Sequence, residues 1–108
     1  MHARFLAATE MLICPVVEGE LLYGALGSAR VGENLAQVTN LISLGQRMVL
    51  DHGIAAEYAR LRNDLRVRGR MIPDNDIWIA ACAIAEGATL VTRDAHFREV
   101  EGLAVEEW

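Results

Sequence analysis

The stretch Arg70-Met-Ile-Pro-Asp-Asn-Asp-Ile-Trp-Ile-Ala-Ala-Cys-Ala-Ile-Ala-Glu-Gly-Ala-Thr-Leu-Val-Thr-Arg-Asp94 decides the fold. From Ile77 to Ala85 every residue is apolar, with Pro73 and two acids ahead and Gly87 behind. Proline at the start and glycine past the end mark a helix, and a helix apolar on every side is buried. Thr89-Leu90-Val91-Thr92 then reads as a short strand covered on both faces, as in parallel sheets. Asp94 follows it. Sites in open α/β sheets form beyond the carboxyl ends of strands. Asp94 therefore stands at such an edge, and Asp76 at the mouth of the buried helix. Two acids converging there point to a divalent metal before they point to stability.

Outward from this stretch the chain keeps alternating. Met11 to Val17 reads as a strand, with Pro15 confined to its edge or end because proline donates no ladder hydrogen bond. Glu18 to Leu26 is a helix that buries Leu21, Leu22, Ala25 and Leu26. Asn34 to Leu44 is a second, with Leu35, Val38, Leu41 and Ile42 on one face and Gly45 as its stop. Met48-Val49-Leu50 is a short strand. Asp51 to Arg68 is a long helix with Ile54, Ala55, Tyr58, Leu61 and Leu65 inward and Gly69 after it. Asp74 or Asn75 caps the apolar helix. A short helix from Asp94 to Val100 and a strand from Leu103 to Trp108 close the chain, and Met1 to Glu10 reads as the tail of a helix. The order predicts one α/β sandwich domain, residues 1–108, with a mostly parallel sheet.

Composition narrows the chemistry. The net charge of −5 argues against a general nucleic-acid coat. All ten basic residues are arginine, so any mechanism that needs a catalytic lysine is excluded. Arg60, Arg62, Arg66, Arg68 and Arg70 crowd one helix and its exit. They read as a solvated face or, alternatively, as contacts to RNA phosphates, for which arginine is well suited. Cys14 and Cys82 lie far apart in apolar stretches without metal-ligand spacing, and read as buried thiols in a reducing cytoplasm. No apolar run reaches the ~18 residues of a membrane span, and residues 1–10 lack the pattern of a secretory signal.

Three carboxylates stand where helices or strands begin or end: Glu20, Asp76 and Asp94. Oxygen donors of this kind suit Mg²⁺ or Mn²⁺. Such an ion lowers the pKa of bound water and neutralises a scissile phosphate. Each acid also has a plainer role open to it. Asp94 can cap the helix that follows, Asp76 can complement the dipole of its helix, and Glu20, beside Glu18, can sit in solvent. Gly24 and Gly27 leave one side of the Glu20 helix bare, with room for a substrate or a partner helix. His2, His52 and His96 show no i, i+4 pairing of a helical metal site, and no glycine-rich phosphate loop is present.

Glu18-Gly-Glu-Leu-Leu-Tyr-Gly-Ala25, Ile72-Pro-Asp-Asn-Asp-Ile-Trp-Ile-Ala-Ala81 and Leu90-Val-Thr-Arg-Asp94, with the closing Gly102-Leu-Ala-Val-Glu-Glu-Trp108, resemble PIN-domain ribonucleases. Within that family the chain is most similar to the VapC toxins of type II toxin–antitoxin modules. The resemblance spans nearly the whole chain. It implies an α/β/α sandwich, Mg²⁺- or Mn²⁺-dependent endoribonuclease activity, dimerisation and neutralisation by a cognate antitoxin. It implies metal ligation by Glu20, Asp76 and Asp94, with Thr92 as a polar neighbour of the metal. Arg66 and Arg68 are candidates for holding the RNA.

The resemblance also implies a first, central strand ending in Asp-Thr-Asn, whose aspartate is a principal ligand. No such segment occurs in this sequence, and Met1 falls where the first or second helix should be under way. Two expectations follow. The chain is either a metal-dependent RNase toxin or an N-terminally truncated PIN domain that no longer cuts RNA and still holds an antitoxin. A phosphoacceptor receiver-like domain shares the α/β alternation, and the absence of lysine counts against it.

Overall fold

The structure, a computed structural model, describes residues 3–7 and 10–107. The elements run β1 (Ala3–Ala7), β2 (Glu10–Ile13), α1 (Pro15–Leu26), α2 (Val31–Ser43), β3 (Gln46–Arg47), α3 (His52–Arg68), α4 (Asp74–Ala85), β4 (Thr89–Thr92), a 3₁₀ turn (Ala95–Glu99) and β5 (Ala104–Glu106). They form a five-stranded sheet in the order β3-β2-β1-β4-β5. Both outer pairings, β2 with β3 and β4 with β5, are parallel. The central strand β1 runs antiparallel to both of its neighbours.

The helical reading of Met1 to Glu10 is therefore overturned where the residues are described; positions 1, 2, 8 and 9 lie outside them. Phe5 pairs with Leu12 on one side and with Leu90 on the other. Leu12 and Leu90 are both buried, so the gap between β2 and β4 cannot be filled by water. A strand there satisfies backbone groups of both neighbours, and this tertiary demand outweighs a weak local helix preference.

The core centres on α4. Ile77, Ile79, Ala80, Ala81, Cys82 and Ala83 are all fully shielded, whereas Trp78 and Ile84 are half-buried and Ala85 is exposed. Small side chains on this helix let its neighbours approach closely, and Ile54, Leu61 and Leu65 of α3 join the same cluster with Phe97. Ala55, expected inward on α3, is exposed, as is Leu26 at the end of α1. Each lies at the solvent-facing margin of its helix.

Local chemistry explains the boundaries. Asp51 caps α3 by accepting from Ile54 N–H at 3.0 Å. Gly69 ends it with φ +67°, a left-handed conformation natural to glycine. Helix α4 is capped by Pro73, with no side-chain cap bond, which corrects the expectation for Asp74 or Asn75. Asp74 instead bonds the Tyr58 hydroxyl and Arg62 on α3. The strand expected at Met48 to Leu50 lies at Gln46–Arg47, with Met48 N–H still bonded to Ile13 C=O at 2.9 Å. A Cβ at Gly45 would stand 2.8 Å from Ile13 and 2.9 Å from the Met11 carbonyl, so the α2–β3 turn closes on β2 only with glycine.

Candidate metal centre

Each of the three predicted acids is delivered by a different element. Pro15 at the first helical position starts α1 immediately after β2, and Glu20 follows one turn later. Asp76 sits in the first turn of α4 and is only 4 % exposed, drawn inward by the apolar residues behind it. Asp94 ends the segment leaving β4. It does cap the 3₁₀ turn, accepting from His96 N–H at 3.0 Å, so its plainer role and its place beside Asp76 coexist. Its own N–H donates to Thr92 Oγ1 at 3.1 Å, and Thr92 is buried.

The structure brings Asp76, Asp94 and His96 together, one donor atom from each lying within 4.8 Å of the others. His96 Nδ1 is 3.1 Å from Asp76 Oδ2 and 3.1 Å from Asp94 Oδ1. Sequence reasoning passed over His96 because it looked for histidines paired along a helix. The available signal was its place two residues beyond an acid at a strand end.

Glu20, the third predicted acid, is not one of the donors brought within 4.8 Å, although the charges of Asp76 and Asp94 act on it. Burial raises its pKa above the ordinary value, Asn75 pulls it back, and the negative charges of Asp76 and Asp94 raise it again. Its Oε1 is shut off from solvent and has no hydrogen-bond partner, the sole such side-chain atom among the described residues. Asp76 is likewise raised, chiefly by burial, with His96 opposing and Asp94 reinforcing the shift. Crowded, partly desolvated carboxylates of this kind disfavour their own ionisation. A divalent cation would offset that repulsion. The donor set fits one.

The arginines are placed differently. Arg68 donates to Asp64 at 2.9 Å and to the Glu99 carbonyl at 2.5 Å, joining α3 to the 3₁₀ turn. Arg66 is exposed and bonds only its neighbour Asn63, at 2.8 Å, among the contacts described. Beside Glu20, a cleft of 360 Å³ opens between α1 and α2, lined by Leu21, Gly24, Ala25, Asn34, Gln37 and Val38. A Cβ at Gly24 would touch nothing, so this wall of α1 is bare there, whereas Gly27 lies beyond the helix as its C-cap and does not line the cleft.

The sequence pattern of the PIN domain matches residues 1–103. Ribonuclease VapC2 of Rickettsia felis is 33% identical over 97 residues, covering 89% of this chain and 72% of that protein. The tRNA(fMet)-specific endonuclease VapC of Shigella flexneri is 32% identical, covering 92% of this chain and 76% of that one. Among solved structures, VapBC2 from Rickettsia felis bound to a DNA fragment from its promoter superposes with a TM-score of 0.87 at 32% identity, over 94% of this chain and 76% of that chain. VapBC-1 from nontypeable Haemophilus influenzae superposes with a TM-score of 0.85 at 26% identity, over 95% and 78% of the two chains.

Proposed function

The chain belongs to the PIN domain family, and on that premise we propose that it is a VapC-like toxin. In this reading it is an endoribonuclease that hydrolyses RNA phosphodiester bonds with a divalent cation and is neutralised by an antitoxin. The observation that carries the reading is the meeting of Asp76 and Asp94 at the end of β4, whose charges also act on the partly desolvated Glu20. Glu20, Asp76 and Asp94 would hold Mg²⁺ or Mn²⁺. When bound, such an ion supplies charge neutralisation at phosphate and a more acidic water.

The chain's own residues have separable tasks. Thr92 fixes the backbone of Asp94, so that the carboxylate is aimed before any ligand arrives. The hydrophobic residues behind Asp76 hold its carboxylate at a dry edge, where charge interactions are stronger than in water. Arg66, exposed on α3, is suited to an RNA phosphate. Arg68 serves first as a strut beneath that surface.

The same reading assigns the antitoxin as protein partner, in keeping with the VapBC complexes to which the chain is similar. It includes pairing with a second copy of the chain, and a cytoplasmic setting that suits two free cysteines. No helix among the described residues is long and apolar enough to cross a membrane.

The test is cleavage of purified RNA by the chelator-treated protein, with and without added Mn²⁺ or Mg²⁺. Cleavage that depends on the ion and disappears in Asp94→Asn is the expected result. Ion-independent cleavage would overturn the metal role. Absence of cleavage, with an antitoxin still bound, would leave a binding module in place of the enzyme.

A further inference from the structure

We propose that His96 is a nitrogen ligand of this chain's metal centre, which makes the site a mixed oxygen–nitrogen one that favours Mn²⁺ over Mg²⁺. The inference rests on the metal-dependent reading above and concerns a residue outside its carboxylate set.

Geometry carries it. Adjacent ligands of a six-coordinate ion bound at about 2.0–2.1 Å stand roughly 3 Å apart. The two separations from His96 Nδ1, to Asp76 Oδ2 and to Asp94 Oδ1, are each 3.1 Å. One nitrogen equidistant from two carboxylate oxygens matches one corner of such a polyhedron sharing edges with two others. The same separations also suit hydrogen bonds, so coordination must be read directly from the metal.

The backbone holds the ring where coordination requires it. Asp94 Oδ1 accepts His96 N–H at 3.0 Å, so the residue whose carboxylate faces the site also anchors the histidine. The ring is about half exposed, whereas the Asp76 side chain is 5 % exposed. His96 can therefore turn toward an ion without repacking the core, while Asp76 supplies a fixed donor. Glu20, whose Oε1 is buried without a hydrogen-bond partner, feels the negative charges of Asp76 and Asp94.

Ligand chemistry sets the preference. Mg²⁺ and Mn²⁺ both take carboxylate, carbonyl and water oxygens. Of the two only Mn²⁺ is a first-row transition ion, the weakest of its series, so an imidazole nitrogen tips the balance modestly toward it. Replacing His96 by glutamine should weaken Mn²⁺ binding by more than the ~10-fold that loss of an outer partner costs and leave Mg²⁺ binding much less changed.

The experiment uses the full chain and Mn²⁺ alone, with no RNA. Electron spin-echo spectroscopy of the Mn²⁺-loaded protein reports directly bound nitrogen, and calorimetry gives the affinities for Mn²⁺ and Mg²⁺. A ¹⁴N coupling in the wild type that is lost in His96→Gln, with the affinity ratio between the two ions reduced, supports the proposal. Mn²⁺ bound without ¹⁴N coupling, or with a coupling that survives in His96→Gln, overturns it while the metal centre stands. Failure of the wild type to bind Mn²⁺ overturns both this proposal and the metal-dependent reading.

Discussion

His96 Nδ1 lies 3.1 Å from Asp76 Oδ2 across twenty residues of sequence, joining the mouth of α4 to the turn that leaves β4. Both ends of this link are set by ordinary folding devices, a buried apolar helix and a capped 3₁₀ turn. The chemical site is thus a consequence of where the core ends. Its acids gather at the border between shielded side chains and solvent.

Asp94→Asn separates charge from structure at this border. Asparagine caps a helix about as well as aspartate, so stability should change by no more than about 0.5 kcal/mol. RNA cleavage should fall by about 100-fold or more, beyond the ~10–100-fold typical of changes to outer partners of a metal. Single-turnover cleavage and a denaturant melt on the same preparation make the comparison. Activity within about 3-fold of wild type would remove Asp94 from the catalytic set.

The pH dependence of stability follows from Glu20 and Asp76, both raised above their ordinary values of 4.5 and 3.8, chiefly by burial. Above those values the unfolded chain has released protons that the folded chain still holds. The folded state then binds more protons, so stability falls as pH rises through the folded pKa values. In metal-free protein, the stability of wild type minus that of Glu20→Gln should decline as pH rises above the ordinary value of 4.5. Added Mn²⁺ should stabilise more as pH rises, because it needs deprotonated ligands. Urea unfolding across a pH series, with chelator or with Mn²⁺, decides it. A metal-free difference that grows with pH would contradict the assigned shifts.

Helix α4, strand β4 and the Asp94 turn were legible because burial there is written in consecutive residues. Ile77 to Ala83 and Thr89 to Thr92 carry their own pattern, and their acids stand at the boundaries of the elements. Strand β1 was not legible, since Ala3 to Ala7 becomes a strand only because β2 and β4 flank it. His96 was missed for a related reason. Its partners come from a capping bond and from a helix twenty positions upstream, and neither has a fixed sequence spacing. Asp74 shows the opposite error. It has the residue type of a cap and lies at the right place, yet Pro73 takes that position and Tyr58 with Arg62 claims the carboxylate.

Cys14 and Cys82 should be inert in the native protein. Cys14 Sγ and Cys82 Sγ share a hydrogen bond at 3.1 Å, and both residues are fully buried. The bond to Cys82 lowers the Cys14 pKa against the effect of burial, while Cys82 is raised by its bond to Cys14 and by burial. Access governs the reaction more than acidity does, since a thiolate that no reagent can reach is not alkylated. Iodoacetamide should add no mass in native buffer and two adducts in denaturant, read by intact-mass spectrometry. Rapid native labelling of either thiol would mean that α1 and α4 separate far more often than this packing implies.

Arg66 and Arg68, two positions apart on α3, should fail in different ways when each is changed to alanine. Arg68 links Asp64 to the Glu99 carbonyl across elements, and its loss should cost about 1–2 kcal/mol, as hydrogen bonds to charged groups do. Arg66 is exposed and bonds only Asn63 among the contacts described, so Arg66→Ala should change stability by less than about 0.5 kcal/mol. If Arg66 meets an RNA phosphate, the same change should weaken RNA binding roughly uniformly across sequences and lower the slope of log affinity against log salt by about 1. Binding titrations at several salt concentrations, paired with urea melts, separate the two effects. A stability loss at Arg66 with an unchanged salt slope would place that arginine in the scaffold and leave the RNA contact to another part of the surface.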